Sequence, residues 1–138
     1  MRPSASTLEH VGEWRVGLRA GSLEALFAEL ARVVARSAGQ PAGDPGPWER
    51  VTLSARDEAT LFVDWANELV GRAEIERCAF DAVRELEIRL RDGELELVAE
   101  VRGRAVPRWR SPLKAATYHD AVVERRGDAW RGEVLFDV

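Results

Sequence analysis

The fold of this chain is decided by the stretch Leu86-Glu87-Ile88-Arg89-Leu90-Arg91-Asp92-Gly93-Glu94-Leu95-Glu96-Leu97. Apolar and charged residues alternate on both sides of its Asp-Gly step, which is typical of strands that bury one face. Asp-Gly is a two-residue turn sequence that favours an antiparallel hairpin. The pattern predicts a strand near residues 84–90 and a return strand through residues 95–101. The first strand should turn three side chains inward: Leu86, Ile88 and Leu90.

Two helices precede this hairpin, each after a strand. Alternation over residues 10–19 predicts a strand with Trp14, Val16 and Leu18 on its buried face. Apolar residues then recur at helical spacing from residue 23 to about residue 38, with Ser22 as the cap. A Gly- and Pro-rich loop at residues 39–47 separates this helix from a second strand at residues 48–54.

The second helix begins after Asp57, a residue type that caps helix starts. Its apolar face is formed by Leu61, Phe62, Trp65 and Leu69, and Asp64 falls on the flank. After the hairpin come a strand at residues 114–124, a turn at residues 127–128 and a last strand from residue 129. The order β-α-β-α-β-β-β-β predicts an α+β fold with mostly antiparallel β-sheets and two α-helices. We expect residues 1–7 to form an N-terminal tail and residues 8–138 a single domain.

Bulk composition bounds the class of protein. The net charge of −4 and the pI near 5.3 argue against a protein that grips nucleic acid over a broad surface. The single cysteine, Cys78, leaves no internal disulfide and no Cys-rich zinc site, and we expect it in the core. No apolar stretch is long enough for a membrane span or a signal peptide. These features predict a cytoplasmic protein without a membrane partner.

The chain has a single lysine, Lys114, among its 20 Lys and Arg residues. It opens the run Lys114-Ala115-Ala116-Thr117-Tyr118-His119-Asp120, which also holds the only tyrosine. Strand alternation predicts that Lys114, Tyr118 and Asp120 share one face and that His119 points the other way. A lysine offers a compact point charge where an arginine offers a planar fork. The segment is therefore either a solvated strand face with an incidental ion pair or a site that needs an ammonium group.

The acidic chain end is the second candidate site. The pattern predicts a strand that runs to the last residue, so that the Asp137 carboxylate and the terminal carboxylate of Val138 are neighbours. Hard cations such as calcium and magnesium bind such oxygen ligands. The alternative is an exposed acidic tail. Near the other terminus, His10 and Glu13 are more typical of a packed or solvent-facing histidine and of a surface ion pair with Arg15.

Five segments, in order along the chain, resemble the archease family. They are Leu8-Glu9-His10-Val11-Gly12-Glu13, Ser22-Leu23-Glu24-Ala25-Leu26-Phe27, the helical run Leu61-Phe62-Val63-Asp64-Trp65-Ala66-Asn67-Glu68-Leu69, the lysine run Lys114–Asp120, and the ending Phe136-Asp137-Val138. The lysine run is the most specific. In the opening segment, Val11-Gly12-Glu13 stands where the family has Thr-Ala-Asp, and Glu is one methylene longer than Asp.

The resemblance implies an archease-like fold and an accessory role rather than an enzyme. Archeases activate the RtcB-type RNA ligase in tRNA splicing and RNA repair, promoting its guanylylation and its multiple turnover, so RNA is contacted only indirectly. The family also binds a divalent cation, most often calcium, with magnesium or manganese as alternatives. The implied metal ligands here are Glu13, Asp137 and Val138. The implied functional or partner-facing residues are Lys114, Tyr118, His119, Asp64 and His10, with Lys114 as the functional cation and Asp64 near the metal ligands.

Two other functions remain open from the residues. The altered opening segment is compatible with a diverged binding or chaperone-like module that is no longer tied to the ligase. Glu13, Asp64 and Asp137 could instead serve a metal-dependent phosphoryl-transfer enzyme. The chain has no Gly-rich phosphate loop to support that activity.

Overall fold

The computed structural model describes residues 12–138. The predicted tail at residues 1–7 and His10 lie outside the described residues. The elements, in chain order, are β1 (Glu13–Ala20), α1 (Leu23–Ser37), β2 (Glu49–Ala55), α2 (Glu58–Glu76), β3 (Cys78–Arg91), β4 (Glu94–Ala105), β5 (Ala115–Arg126) and β6 (Ala129–Asp137). The predicted fold class and element order are confirmed.

The strands form two antiparallel sheets of three strands each. One has the order β1-β6-β5, and the other has the order β2-β4-β3. Each helix packs against strands of both sheets. The two sheets therefore share one core through the helices, and the first and last strands of the chain lie side by side.

The predicted hairpin joins β3 to β4. Arg91 pairs with Glu94, and the two turn residues between them, Asp92 and Gly93, have φ angles of 51° and 81°. Two successive positive φ angles match the right-handed twist of the flanking strands, which is why Asp-Gly favours this turn.

The inward orientation predicted for Leu90 is wrong. Leu86 and Ile88 pack partly buried against the core, whereas Leu90 is 74% exposed. The pairing of β3 with β4 shifts register between Arg84 and Glu87, and Glu85 has a φ of 53°. Beyond this bulge the hairpin continues to its tip, where Leu90 remains open to solvent.

Both helices begin at the predicted caps. The Ser22 hydroxyl accepts a hydrogen bond from the Ala25 N–H at 3.1 Å, and the Asp57 carboxylate accepts one from the Thr60 N–H at 2.8 Å. Each bond satisfies a backbone donor that has no partner inside the helix. The hydrogen bond from Thr60 lowers the pKa of Asp57.

The core is built around aromatic side chains of the two helices. The rings of Phe27 and Phe62 meet edge to face, with their centroids 5.0 Å apart. The indole N–H of Trp65, which is fully buried, donates to the carbonyl of Phe27 at 2.9 Å. Cys78 lies partly buried against this core, and burial raises the pKa of its thiol.

Candidate functional site

Two acidic side chains from opposite ends of the chain meet on the sheet β1-β6-β5. Glu13 in β1 is directly opposite Asp137 in β6, and both are exposed. Directly opposite residues share a face, with Cβ atoms about 4.5–5.5 Å apart, and like charges in this position destabilise the pair. Within residues 12–138 neither carboxylate is ion-paired.

Val138 follows Asp137 beside this pair. The N–H of Val138 donates to the carbonyl of Gly12 at 2.9 Å, and the Val138 side chain packs against the core. The last residue is therefore held in place next to Asp137 and Glu13. Among the described residues, no group of three or more His, Cys, Asp and Glu side chains is arranged to hold a metal ion. A cation site here would thus need the terminal carboxylate in addition to the two side chains. This all-oxygen set suits a hard divalent cation.

Lys114 is anchored to the same chain end through its backbone. It immediately precedes β5, and its N–H donates to the carbonyl of Asp137 at 2.9 Å. Its exposed side chain lines a cavity of about 430 Å³ together with Val138, Glu74 and Trp109. The ammonium group forms no salt bridge with any carboxylate of the described chain.

The predicted alternation through β5 is wrong, because the strand carries a large bulge. Thr117 pairs with Leu135 and Val122 pairs with Glu133, so five steps along β5 match two steps along β6. Three additional residues therefore loop out, and Asp120 at their centre has a φ of 56°. Such bulges re-aim side chains locally.

The bulge changes which side chains of the lysine run lie together. The Nε2 atom of His119 lies 3.1 Å from a carboxylate oxygen of Asp120, and both side chains are well exposed. The prediction that His119 points away from Asp120 is therefore wrong. Lys114 lies outside the strand and Ala116 is buried, so the predicted continuous face running from Lys114 through Tyr118 to Asp120 does not form.

Tyr118 is bonded to the second helix. Its hydroxyl donates to the carboxylate of Asp64 in α2. This hydrogen bond raises the pKa of Tyr118, and partial desolvation and the negative charge of Asp64 act in the same direction. The phenol is therefore held protonated as a donor, and it fixes the bulge to the helix.

Asp64 lies in α2, the helix that also carries Glu74. Ten residues, or about 15 Å of helix, separate it from Glu74, which lies beside Lys114 and Val138. No metal-holding group of side chains forms between Asp64, Glu13 and Asp137 in the part of the chain that the structure describes. The three acids of the phosphoryl-transfer alternative are therefore not brought together as a metal-holding group, and the place of Asp64 near the metal ligands stays a prediction.

Asn67 is a site-supporting residue that the sequence patterns did not single out. Its side-chain NH2 donates to the carbonyl of Ala116 at 3.0 Å, and its carbonyl oxygen accepts from the N–H of Ala116 at 2.7 Å. The amide thus occupies the outer edge of β5 as a neighbouring strand would. The available signal was an Asn in a helix interior, where its helix propensity is poor and a specific contact is expected.

The helical run around Asp64 is explained by these contacts. Asp64 binds Tyr118, Trp65 binds the Phe27 carbonyl, and Asn67 binds Ala116. Glu68 pairs with Arg72, which also reaches Glu49 in β2. The run therefore positions β5 and, through β5, the segment that begins with Lys114.

These observations define a small α+β protein of two three-stranded sheets, with an acidic chain end beside its single lysine. The chain belongs to the archease family, because the sequence model of the Archease protein family matches residues 6–138. None of the helices in residues 12–138 is long and apolar enough to cross a membrane.

Individual relatives and solved structures agree with this membership. The chain is 28% identical over 138 residues to the protein archease of Methanosarcina acetivorans, covering 95% of this chain and 93% of that protein. It is 26% identical over 136 residues to the protein archease of Methanosarcina mazei, with the same coverage of 95% and 93%.

Two solved structures share the fold. The solution structure of protein 1598 from Methanobacterium thermoautotrophicum superposes with a TM-score of 0.78 at 20% identity, covering 93% of this chain and 94% of that one. The crystal structure of an archease from Thermotoga maritima, described as a possible chaperone, gives a TM-score of 0.60 at 19% identity and covers 100% of both chains. At these identities the likeness concerns the fold alone.

Proposed function

We propose that this protein is an accessory factor of an RtcB-type RNA ligase, acting in the cytoplasm in tRNA splicing and RNA repair. In this role it promotes guanylylation and multiple turnover of the ligase without catalysing a reaction itself, and it contacts RNA only through the ligase. Membership of the archease family supports this proposal. The observation that carries it is the position of Lys114, an exposed cation that forms no salt bridge with the residues the structure describes and whose backbone N–H donates to the carbonyl of Asp137 at the chain end.

The chain end would hold a divalent cation, most often calcium, with magnesium or manganese as alternatives. Glu13, Asp137 and the terminal carboxylate of Val138 are the proposed ligands. The support is electrostatic: Glu13 and Asp137 lie opposite each other without a cationic side chain from the described residues. A bound cation would relieve their repulsion and fix the two strand ends.

The role of Lys114 follows from its exposure and its chemistry. A lysine ammonium is a compact charge on a flexible stem, suited to a phosphate or carboxylate of the ligase. The fixed chain end and the Asn67–Ala116 hydrogen bonds hold the two sides of its segment. Tyr118 and His119 lie further along the same segment and would contribute to the docking surface, whereas Asp64 would act by holding Tyr118.

The test is guanylylation and turnover of the ligase from the same organism, with and without this protein. Lys114→Ala should abolish the stimulation of turnover while leaving the thermal unfolding midpoint unchanged. Lys114→Arg should restore it only partly, because a guanidinium differs in shape and donor geometry from an ammonium. Arg125→Ala, which removes an exposed positive charge from the far end of β5, is the matched control and should stimulate normally. Full stimulation by Lys114→Ala would contradict the proposed role.

A chaperone-like module is the second candidate, favoured by the description of the Thermotoga maritima relative as a possible chaperone. It predicts that the protein slows aggregation of unfolded clients and leaves ligase guanylylation unchanged. The same pair of measurements therefore separates the two functions.

A further inference from the structure

A cavity of about 620 Å³ lies between the end of α1, the loop at residues 39–47 and the start of β3. Its apolar floor includes Ala35, Ala79 and Pro41. Three arginines stand around it: Arg32, Arg36 and Arg110. Small residues in the floor leave the space open, and the arginines give it a positive rim.

One wall of this cavity is fixed by hydrogen bonds to β4. The N–H groups of Ala42 and Gly46 donate to the carbonyls of Ala105 and Gly103, at 2.9 Å and 2.8 Å. The loop at residues 39–47 therefore runs along the sheet as a held segment. The cavity is thus largely formed before a ligand arrives, as is usual for small-molecule sites.

The opposite wall is fixed at the end of α1. The N–H of Arg110 donates to the carbonyl of Ala38 at 3.2 Å. Gly39 has a φ of 119°, and a Cβ atom there would lie 3.0 Å from the Val106 side chain and 3.1 Å from the carbonyl oxygen of Arg108. Only glycine permits both this backbone conformation and this close approach. The position of Arg110 is therefore set by backbone packing.

The charges around the cavity do not cancel. Arg32 is paired with Glu29, and Asp81, the acid in the lining, is paired with Arg104 at 2.6 Å. Arg36 and Arg110 form no salt bridge with any residue of the described chain. Two guanidinium groups thus face one cavity with their charge uncompensated, in a protein whose net charge is −4.

We propose that this cavity binds a phosphate-bearing ligand, with Arg36 and Arg110 holding the phosphate and the apolar floor receiving the attached organic group. A guanidinium matches phosphate oxygens through paired charge-assisted hydrogen bonds. The cavity volume falls within the range of about 300–1,000 Å³ that is usual for small-molecule sites. A nucleotide and the end of an RNA strand both carry this chemistry.

The proposal is independent of ligase activation. Glu13, Asp137 and Lys114 do not line the cavity. Arg110 also lines a second cavity with Val138 and Trp14, so a ligand held there would lie toward the chain end. Binding can be measured on the protein alone, and a failure of ligase stimulation leaves the result intact.

Calorimetric titration of the whole protein with inorganic phosphate, guanosine monophosphate and a short single-stranded RNA tests the proposal. We expect binding of at least one of the three probes, weakened about tenfold or more by Arg110→Gln and by Arg36→Gln. Arg108→Gln is the matched control, because it removes the same charge from the same loop outside the cavity lining. Arg36 is exposed in the last turn of α1, so its variant should fold even if the Arg110 variant does not.

The probes also distinguish the source of the phosphate. If the nucleotide binds at least as tightly as the RNA, the cavity is a small-molecule site. Tighter RNA binding that falls steeply with salt identifies a strand phosphate. The proposal is overturned if none of the probes binds at millimolar concentration, or if both arginine variants bind as tightly as the Arg108 control.

Discussion

The chain end of the sheet β1-β6-β5 carries surface charge in a different way from the rest of the two sheets, where arginines also meet acids, as Arg15 meets Glu133 at 3.3 Å. On the sheet β2-β4-β3, arginines meet acids across the strands: Arg84 with Glu100 at 2.7 Å, Arg104 with Asp81 at 2.6 Å, and Arg91 with Glu96 at 3.4 Å. At the chain end of the sheet β1-β6-β5, Glu13 instead lies opposite Asp137, and within residues 12–138 Lys114 forms no salt bridge.

Paired charges between strands stabilise the fold, whereas the like-charged strand ends form the proposed cation site. Opposite charges across a strand pair contribute modestly to stability, whereas like charges directly opposite reduce it. The chain has 19 arginines that could have compensated the acids, counting 20 Lys and Arg less the single lysine. We therefore expect an external cation or a positively charged partner to relieve the most repulsion at these like-charged strand ends.

The largest effect on stability should come from replacing Asn67, whose hydrogen bonds hold β5 next to the chain end. Asn67→Ala removes the partners of both the N–H and the carbonyl of Ala116, a partly buried backbone position. We expect a loss of about 2–3 kcal/mol of unfolding free energy, because each group loses its hydrogen bond without gaining full solvation. Urea unfolding measures the loss. Asn67→Asp keeps the acceptor and loses the donor, so its unfolding free energy should lie between those of the original protein and Asn67→Ala.

A smaller effect on stability is expected at the pair of Glu13 and Asp137, and its sign should depend on whether calcium is present. Without calcium, Glu13→Gln should stabilise the protein by about 0.2–1 kcal/mol, because it removes the repulsion with Asp137. With calcium at about ten times the dissociation constant, the original protein should gain about 1.4 kcal/mol. The variant should gain much less, so the order of stability reverses.

Thermal unfolding with and without calcium measures this reversal. Glu94→Gln, the same chemical change at the exposed tip of the hairpin, is the control and should leave the calcium response unchanged. An equal response of Glu13→Gln and the original protein would remove Glu13 from the proposed ligand set. Deletion of Val138 should weaken calcium binding for the same reason, which calorimetry can measure.

A smaller effect again is expected where the bulge meets α2. Because Tyr118 is the only tyrosine, the near-ultraviolet absorbance of phenolate reports on this residue alone. The Asp64 carboxylate raises the pKa of Tyr118, so the titration midpoint should lie above the usual value near 10. Asp64→Asn should lower the midpoint, and an unchanged midpoint would contradict the hydrogen bond.

The direction in which stability changes with pH follows from the protonated phenol of Tyr118. Since folding raises the pKa of Tyr118, its stabilising contribution is fully present below the unfolded pKa near 10. The contribution is lost as the pH rises through the folded pKa. In a plot of unfolding free energy against pH, Tyr118→Phe should therefore fall less steeply than the original protein at alkaline pH. Near neutral pH the two curves should run almost parallel.

How far the sequence predicts this molecule depends on whether a pattern is local. The hairpin and both helix caps follow from short-range rules, and the structure agrees with them. The face assignments along β5 were wrong because a bulge shifts this strand relative to its partner, and the inward turn of Leu90 was wrong because the tip of the hairpin is open to solvent. A bulge depends on the neighbouring strand, which no alternation within one segment reveals.

The same reasoning explains why the role of Asn67 and the contact of Asp64 with Tyr118 were missed. Asn67 acts on a backbone group 49 positions away, and its helical spacing carries no sign of that partner. Asp64 faces Tyr118 because the bulge presents the phenol there. The resemblance alone implied a place for Asp64 near the metal ligands, and no pattern within the helix indicates its hydrogen bond with Tyr118.

The smallest effect is expected on the sheet whose charges are already paired. Arg91→Ala removes the partner of Glu96 near the tip of the hairpin, where the Arg91 side chain is 70% exposed. An exposed pair of this kind contributes about 0–1 kcal/mol, because solvent screens the attraction and the long side chain loses rotamer freedom. We expect a urea midpoint within error of the original and no change in the calcium response. A loss as large as that of Asn67→Ala would mean that the sheet β2-β4-β3 depends on its paired surface charges, and the distinction between these pairs and the like-charged chain end would fail.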